Sequence, residues 1–426
     1  MVGLLSNNSH VLAMAHVLLN GTFNAGGGYA DVWARDTATF IDIAMEVNPN
    51  AVTKSVLLGF LCRQKADGEL PGGYRPHAGH AICEGAAPPP GDESYHSCLG
   101  GTEMCKNNAE TDQESSVVQA IQRYVNRSGD VSFLQLTVNG TSVLRRLEMA
   151  LEWLQQRRMD EATGLLWGGT TIDWGDVQPE PSLPDERLLS EGSHPSLDVY
   201  DNAMFLLAID GYVALSRASG ISATGWEVLR NATAQAVRTH LWDGGRRKFT
   251  PHLYLDAAGA ARAARQAGVP SFESGSPFPP SFDEINISCH GGTAVAALAG
   301  VLGEAELRAS YATMQRDAAE AGRVTLGLTV YPPYPTALYP NMPSWTYQNG
   351  GDWGWFGGRL VSALAAAGMR GEAARALKPM VDRVVAHGGF YEWWDRTGQP
   401  QGSSLFHGAA GVLGLAIQHV EGTYRP

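Results

Sequence analysis

Apolar residues recur at i, i+3, i+4 and i+7 in segment after segment of this chain, the signature of helices that bury one face. The pattern predicts helices near 7–20, 36–47, 51–62, 111–126, 141–158 and 198–218. More are predicted near 225–241, 290–302, 304–320, 355–368, 370–386 and 404–419. Most fall in pairs. Within a pair the connection is short and carries turn residues, as at Asn48-Pro49-Asn50, Ser219-Gly220, Gly300 to Gly303 and Gly368 to Gly371. Strand-like alternation is weak, so short strands are expected only inside loops.

Between the pairs lie segments too long for ordinary connections: 65–109, 162–197, 243–288, 323–354 and 387–403. Loops beyond about 15 residues are uncommon unless they carry function. About six hairpins with all unusual loops between them predict a ring of helix pairs whose long loops meet at one face. That is an all-α (α/α)6 toroid. No strict repeat is visible, which disfavours an open solenoid. No linker divides the chain, so 1–426 is read as one catalytic domain. The stretch 76–109, rich in Pro, Gly, His and Cys, is read as an irregular insertion on the active face.

Composition narrows the function. Hydrophobic residues make up 44% of the chain and charged residues 17%, as in an ordinary globular protein. The net charge of -12 argues against a nucleic-acid partner. The longest early apolar stretch, Val11 to Leu19, is too short to span a bilayer and lacks the basic flank of a signal peptide. The chain is open to being a mature form. Among five cysteines there is no CxxC pair. One or two disulfides around Cys83, Cys98 and Cys105 are expected if the protein is exported. Six of the fifteen asparagines, Asn7, Asn20, Asn126, Asn139, Asn231 and Asn286, open an N-x-Ser/Thr sequon. Ser and Thr form about an eighth of the chain, so chance supplies about two. The excess favours the secretory pathway or an extracellular location over the cytoplasm. The sequence is silent on oligomeric state.

Two aromatic boxes carry the chemistry. One runs Trp345-Thr346-Tyr347-Gln348-Asn349-Gly350-Gly351-Asp352-Trp353-Gly354-Trp355. The other runs Phe390-Tyr391-Glu392-Trp393-Trp394-Asp395. Flat rings stack on the C–H face of a pyranose, and amides and carboxylates bond its hydroxyls. Trp33, Arg35 and Asp36 precede a helix, and a planar guanidinium beside a carboxylate suits vicinal hydroxyls. Asp112 and Gln113, in an acid-rich helix start, are further candidates for the sugar. Gly168-Gly169-Thr170-Thr171-Ile172-Asp173-Trp174-Gly175-Asp176 brings two acids beside Trp174. A carboxyl group shut off from water beside an aromatic ring has a raised pKa, as a general acid requires. Glu392, held between aromatics, is the candidate partner, since glycoside hydrolysis usually needs two carboxyl groups flanking the bond. The sequence holds no HExxH, EF-hand, phosphate loop or GxSxG motif, so no metal or cofactor is expected. His77, His80 and His96 are read as solvated loop histidines.

In this order the motifs resemble the six-hairpin glycosidases. Trp33-Ala34-Arg35-Asp36-Thr37 resembles the tryptophan/arginine/aspartate box of the glycogen-debranching glucosidase and alkaline/neutral invertase families. Ile172-Asp173 resembles the pair that carries their general acid. Tyr347-Gln348-Asn349-Gly350-Gly351-x-Trp353 is similar to their NGG-x-Trp box, and Phe390-Tyr391-Glu392-x-x-Asp395 with Thr397-Gly398 to the segment of their general base. The resemblance spans about residues 29–412, and the mannosylglycerate and glucosylglycerate hydrolases share the layout. It implies an (α/α)6 barrel and an inverting mechanism with Asp173 as acid and Glu392 as base. Trp174-Gly175-Asp176 stands where the invertases carry basic residues, which argues against sucrose and keeps Asp176 as the alternative acid.

The expected function is therefore an inverting, exo-acting glycoside hydrolase for a short α-linked glucoside or mannoside. The substrate-binding set is Trp33, Arg35, Asp36, Asp112, Gln113, Trp174, Trp345, Tyr347, Gln348, Asn349, Gly350, Trp353 and Trp393. Two other readings are a sugar epimerase or polysaccharide lyase using a His or Tyr as base, with His290, His387 and His407 available, and a non-catalytic carbohydrate-binding protein.

Overall fold

The computed structural model describes residues 6–76, 83, 97–98 and 104–425. Thirteen α-helices occur among the described residues. They are α1 (Asn7–Leu19), α2 (Ala34–Ala44), α3 (Asn50–Cys62), α4 (Gln113–Ser128), α5 (Val143–Arg158), α6 (Val199–Ala218) and α7 (Thr224–His240). They continue with α8 (Ala257–Ala267), α9 (His290–Leu298), α10 (Glu304–Glu320), α11 (Gly354–Ala366), α12 (Arg370–His387) and α13 (His407–Glu421). All twelve segments with helical periodicity are helices. The unforeseen one is α8, inside the segment 243–288 read as loop. It buries only small residues, Gly259, Ala260, Ala263 and Ala264, on one face, and Asp256 caps it while Gly268 ends it in a left-handed conformation.

Helices α2, α4, α6, α9, α11 and α13 pack neighbour on neighbour, and α13 returns to α2. That last contact closes the ring and makes the fold an (α/α)6 toroid. Helices α1, α3, α5, α7, α10 and α12 each pack on one or two members of the inner ring. Close approach is built in with glycine. A Cβ on Gly358 of α11 would sit 2.7 Å from Val412 Cγ1 of α13. The inner helices are buried on most sides: nine of the eleven residues of α2, Ala34 and Thr37 to Ala44, are buried. Each large apolar side chain buried this way contributes about 1.5–3 kcal/mol.

Short strands do occur in the loops. Leu165–Gly169 is central to a four-stranded antiparallel sheet, with Pro195–Leu197 on one side and Met159–Asp160 on the other, and Leu253–Tyr254 outermost. Cys62 pairs with Cys83 and Cys98 with Cys105, so two bridges tie the cysteine-rich segment down. Cys289 is free and buried. The rest of the 76–109 insertion, including His77, His80 and His96, lies largely outside the described residues. Among the described residues no helix is long and apolar enough to cross a membrane.

Candidate active site

The inner helices share one polarity. Trp33, Asp112, Trp353 and Phe406 are the N-cap residues of α2, α4, α11 and α13, and none caps its helix with its side chain. All four instead line one cavity of about 490 Å³ at this end of the ring. The partial positive charge of the converging helix starts faces that cavity. Its lining holds six carboxyl groups (Asp31, Asp36, Glu110, Asp112, Asp176, Glu392) against three guanidinium groups (Arg35, Arg75, Arg187).

Arg35 gathers three of the acids. Its Nε donates to Asp112 Oδ2 at 2.6 Å, Nη2 to Glu110 Oε2 at 2.6 Å, and Nη1 to Asp176 Oδ1 at 3.0 Å. The guanidinium is therefore occupied in holding carboxylates rather than free for sugar hydroxyls. Gln348, fully buried, grips Asp176 from the other side. Its Nε2 donates to Asp176 Oδ2 at 2.8 Å and its Oε1 accepts from the Asp176 amide at 3.0 Å. Burial pushes the Glu110 carboxyl well above the usual range, Arg35 opposes this, and a hydrogen bond with Asp176 adds to it. Both acids are held by the same guanidinium, and Asp176 is the one with the more exposed side chain, 27% against 9%.

Glu392 comes from the loop after α12. The hydroxyls of Tyr29 and Tyr347 donate to its Oε1 at 2.9 and 3.1 Å, and the Ser403 amide donates to Oε2 at 3.1 Å. Tyr347 holds a left-handed backbone (φ 44°), a strained setting for a bulky residue and one that clusters at functional sites. Asp36 lines the same cavity, and its carboxyl has no side-chain hydrogen-bond partner among the described residues. Burial raises it to about 7, Arg35 opposes, and Glu392 and Asp176 push it further up. Trp174 meets Trp353 and Trp355 edge-on, each at 4.9 Å, and the Arg35 guanidinium lies 5.4 Å from its ring.

Asp173, three residues from Asp176, does not line this cavity. Its two oxygens accept from the Gly292 amide at 2.9 and 3.0 Å, so it caps α9 from outside. Glycine there is required: a Cβ on Gly292 would lie 2.7 Å from Asp173 Oδ1. Burial raises the Asp173 carboxyl to about 8, against the pull of the Gly292 amide. The segment carrying both aspartates rests on a buried network the sequence did not reveal. His252 Nε2 lies 2.8 Å from the Thr171 carbonyl and Nδ1 2.8 Å from Glu284, which also accepts from Tyr254 and Tyr334.

Of the residues expected in the site, Trp33, Arg35, Asp36, Asp112, Gln113, Trp174, Asp176, Tyr347, Trp353 and Glu392 line the cavity. Gln348 acts behind it. Four others lie elsewhere among the described residues. Trp345 is set against Tyr331 and the Arg396 guanidinium. Asn349 is spent on the backbone of Tyr334 and Met342. Gly350 makes a left-handed turn (φ 87°). Trp393 packs edge-on to Tyr347 at 6.1 Å, one layer back. Alternation along the box explains this, because consecutive residues cannot all face one ligand. Tyr29, Glu110, Trp355 and Phe406 also line the cavity. Tyr29 and Glu110 adjoin motifs noted in the sequence, whereas Phe406 carries no local signal. None of His290, His387 and His407 lines it. His290 pairs with Asp317 at 2.9 Å, His387 meets Trp394 edge-on, and His407 bonds the Asn24 carbonyl.

A closed ring of six helix pairs with an acidic, aromatic cavity at one end is the architecture of the (α/α)6 glycosidases. No protein-family model matches the chain, and no curated protein matches its sequence. Solved structures do match. The GH63 mannosylglycerate hydrolase of Thermus thermophilus, in complex with glucose, is 16% identical with a TM-score of 0.61, covering 96% of this chain and 98% of that one. A rhamnosidase from Klebsiella oxytoca with rhamnose bound is 12% identical with a TM-score of 0.59, covering 98% of this chain and 64% of that one. A GH78 family rhamnosidase of Bacillus sp. GL1 is 12% identical with a TM-score of 0.58, covering 96% and 34%. At these identities the likeness establishes the fold.

Proposed function

We propose that this chain, as one catalytic domain over 1–426, is an inverting, exo-acting glycoside hydrolase for a short α-linked glucoside or mannoside. The observation that carries the reading is a single cavity in which Asp176 and Glu392, from separate loops, are each held by dedicated partners beside aromatic walls. Asp176 protonates the glycosidic oxygen as the bond from that oxygen to the anomeric carbon breaks. Glu392 takes a proton from water as the water oxygen bonds the anomeric carbon. The two tyrosine hydroxyls and the Ser403 amide hold Glu392 in place. Asp36 and Gln113 bind the glycone, while Arg35 and Asp112 fix the acid. The surplus of carboxyl groups favours a neutral sugar and a transition state that gains positive charge.

Asp176 replaces Asp173 as the acid because Asp173 is committed to α9. The epimerase or lyase reading loses its three histidine candidates, which lie away from the cavity, and keeps only a tyrosine such as Tyr29 or Tyr347 as base. The test is incubation with a panel of α-mannosides, α-glucosides and α-rhamnosides, with proton NMR of the first-formed sugar. The β-anomer released from an α-glucoside or α-mannoside is the expected result. The α-anomer would refute inversion, and intact affinity without release would favour a binding protein.

We further propose that the protein enters the secretory pathway and carries N-glycans. All six sequon asparagines are exposed, and two disulfides are formed.

A further inference from the structure

A second cavity, of about 240 Å³, lies on the ring axis toward the opposite ends of the inner helices, and all six contribute to its lining. Its inner part is unusually polar. Arg359, on α11, is 8% exposed, and its Nη1 has no hydrogen-bond partner. Ser362 Oγ, His419 Nδ1 and Asp42 Oδ1 line the same cavity and are also without a hydrogen-bond partner. Such buried orphans each cost about 1–3 kcal/mol, and native proteins keep few of them.

The charges do not balance at Arg359. Arg123 is neutralised by Asp42 at 2.9 Å and Arg127 by Glu46 at 2.7 Å. Arg359 has no carboxylate partner: it bonds the Tyr200 hydroxyl and lies against the rings of Trp355 and Phe356, at 4.5 and 5.6 Å, with Nη1 left over. Helix C-termini can offset cations, but only within the last turn. They reach Arg127 and not Arg359, which is the sixth residue of the thirteen in α11. An uncompensated buried cation calls for an anion.

We propose that this axial cavity binds a small protonated oxyanion of the hydrogenphosphate type. The guanidinium fork offers paired donors to oxyanion oxygens. Ser362 Oγ–H adds a donor, and the acid hydroxyl of the ligand donates to Asp42 Oδ1. Chloride and sulfate have no proton for Asp42. The site is distinct from the sugar cavity, and its binding is measured without reference to catalysis.

The experiment is thermal unfolding of the full chain near pH 7 at constant ionic strength, with inorganic phosphate titrated against gluconate. A saturable rise in Tm on the order of 1–3 °C is expected. Sulfate should give a smaller rise and chloride none. Arg359→Met should abolish the phosphate response, while Arg246→Met on the outer surface should keep it. Should Arg359→Met fail to fold, arsenate soaked into wild-type crystals decides by its anomalous signal beside Arg359. No phosphate dependence, an equal response to chloride, a response retained in Arg359→Met, or anomalous signal only elsewhere would each overturn the proposal.

Discussion

Asp36 carries the clearest consequence at the scale of the residue. Its carboxyl is held at about 7 in the folded chain, against an ordinary value of 3.8, so the native state binds that proton more tightly than the unfolded state. The stabilisation this gives is complete below about pH 4 and is lost as pH rises through about 7. Asp36→Asn removes the titration. Urea unfolding across that range should therefore show the variant gaining on the wild type as pH rises, and parallel curves would contradict the assignment. Tyr347 makes a second prediction. Tyr347→Phe leaves Glu392 Oε1 with only the Tyr29 hydroxyl, at 2.9 Å. The loss of one hydrogen bond to a buried carboxylate, about 1.5 kcal/mol, corresponds to roughly a tenfold fall in kcat. An unchanged kcat with a raised KM would instead make Tyr347 a sugar contact. Residue identity alone could not choose between Asp173 and Asp176. Both flank Trp174 in the sequence, and only the placement of α9 turns one of them into a helix cap.

At the scale of the element, the helices were legible because most bury an apolar face at helical spacing, and their pairing followed from short Gly- and Asn-Pro-bearing turns. Helix α8 was not legible, because its buried face is made of alanine and glycine and carries no large apolar residue to mark it. The His252–Glu284 brace was not legible either. Its members are 32 residues apart and meet only through the loop fold. The Asp173–α9 junction is testable. Gly292→Ala places a methyl 2.7 Å from Asp173 Oδ1 and 2.5 Å from Val199 Cγ1. The crowding should destabilise the protein by about 1–3 kcal/mol, read as a lowered denaturation midpoint with the ring's helical circular dichroism retained. A midpoint equal to wild type would mean that α9 does not need this close contact.

At the scale of the whole molecule, the toroid gathers the inner-helix starts and the long loops at one end. That is why motifs scattered between residues 29 and 406 share one cavity. The outer surface tells of route rather than chemistry. Asn7, Asn20, Asn126, Asn139, Asn231 and Asn286 are all exposed. Protein recovered from a eukaryotic secretory host should lose mass on treatment with peptide N-glycosidase, and Asn231→Gln should remove one glycan's share. An unchanged mass would argue against the secretory route. The proposed hydrolysis depends most on which carboxyl group delivers the proton across the cavity. The most direct measurement is the turnover of Asp176→Asn beside Asp173→Asn on the glycoside that the wild type cleaves. A loss of about 10²–10⁴-fold for Asp176→Asn, with Asp173→Asn within about tenfold of wild type, is the predicted result. The reverse order, with Asp176→Asn active and Asp173→Asn inert, would contradict it.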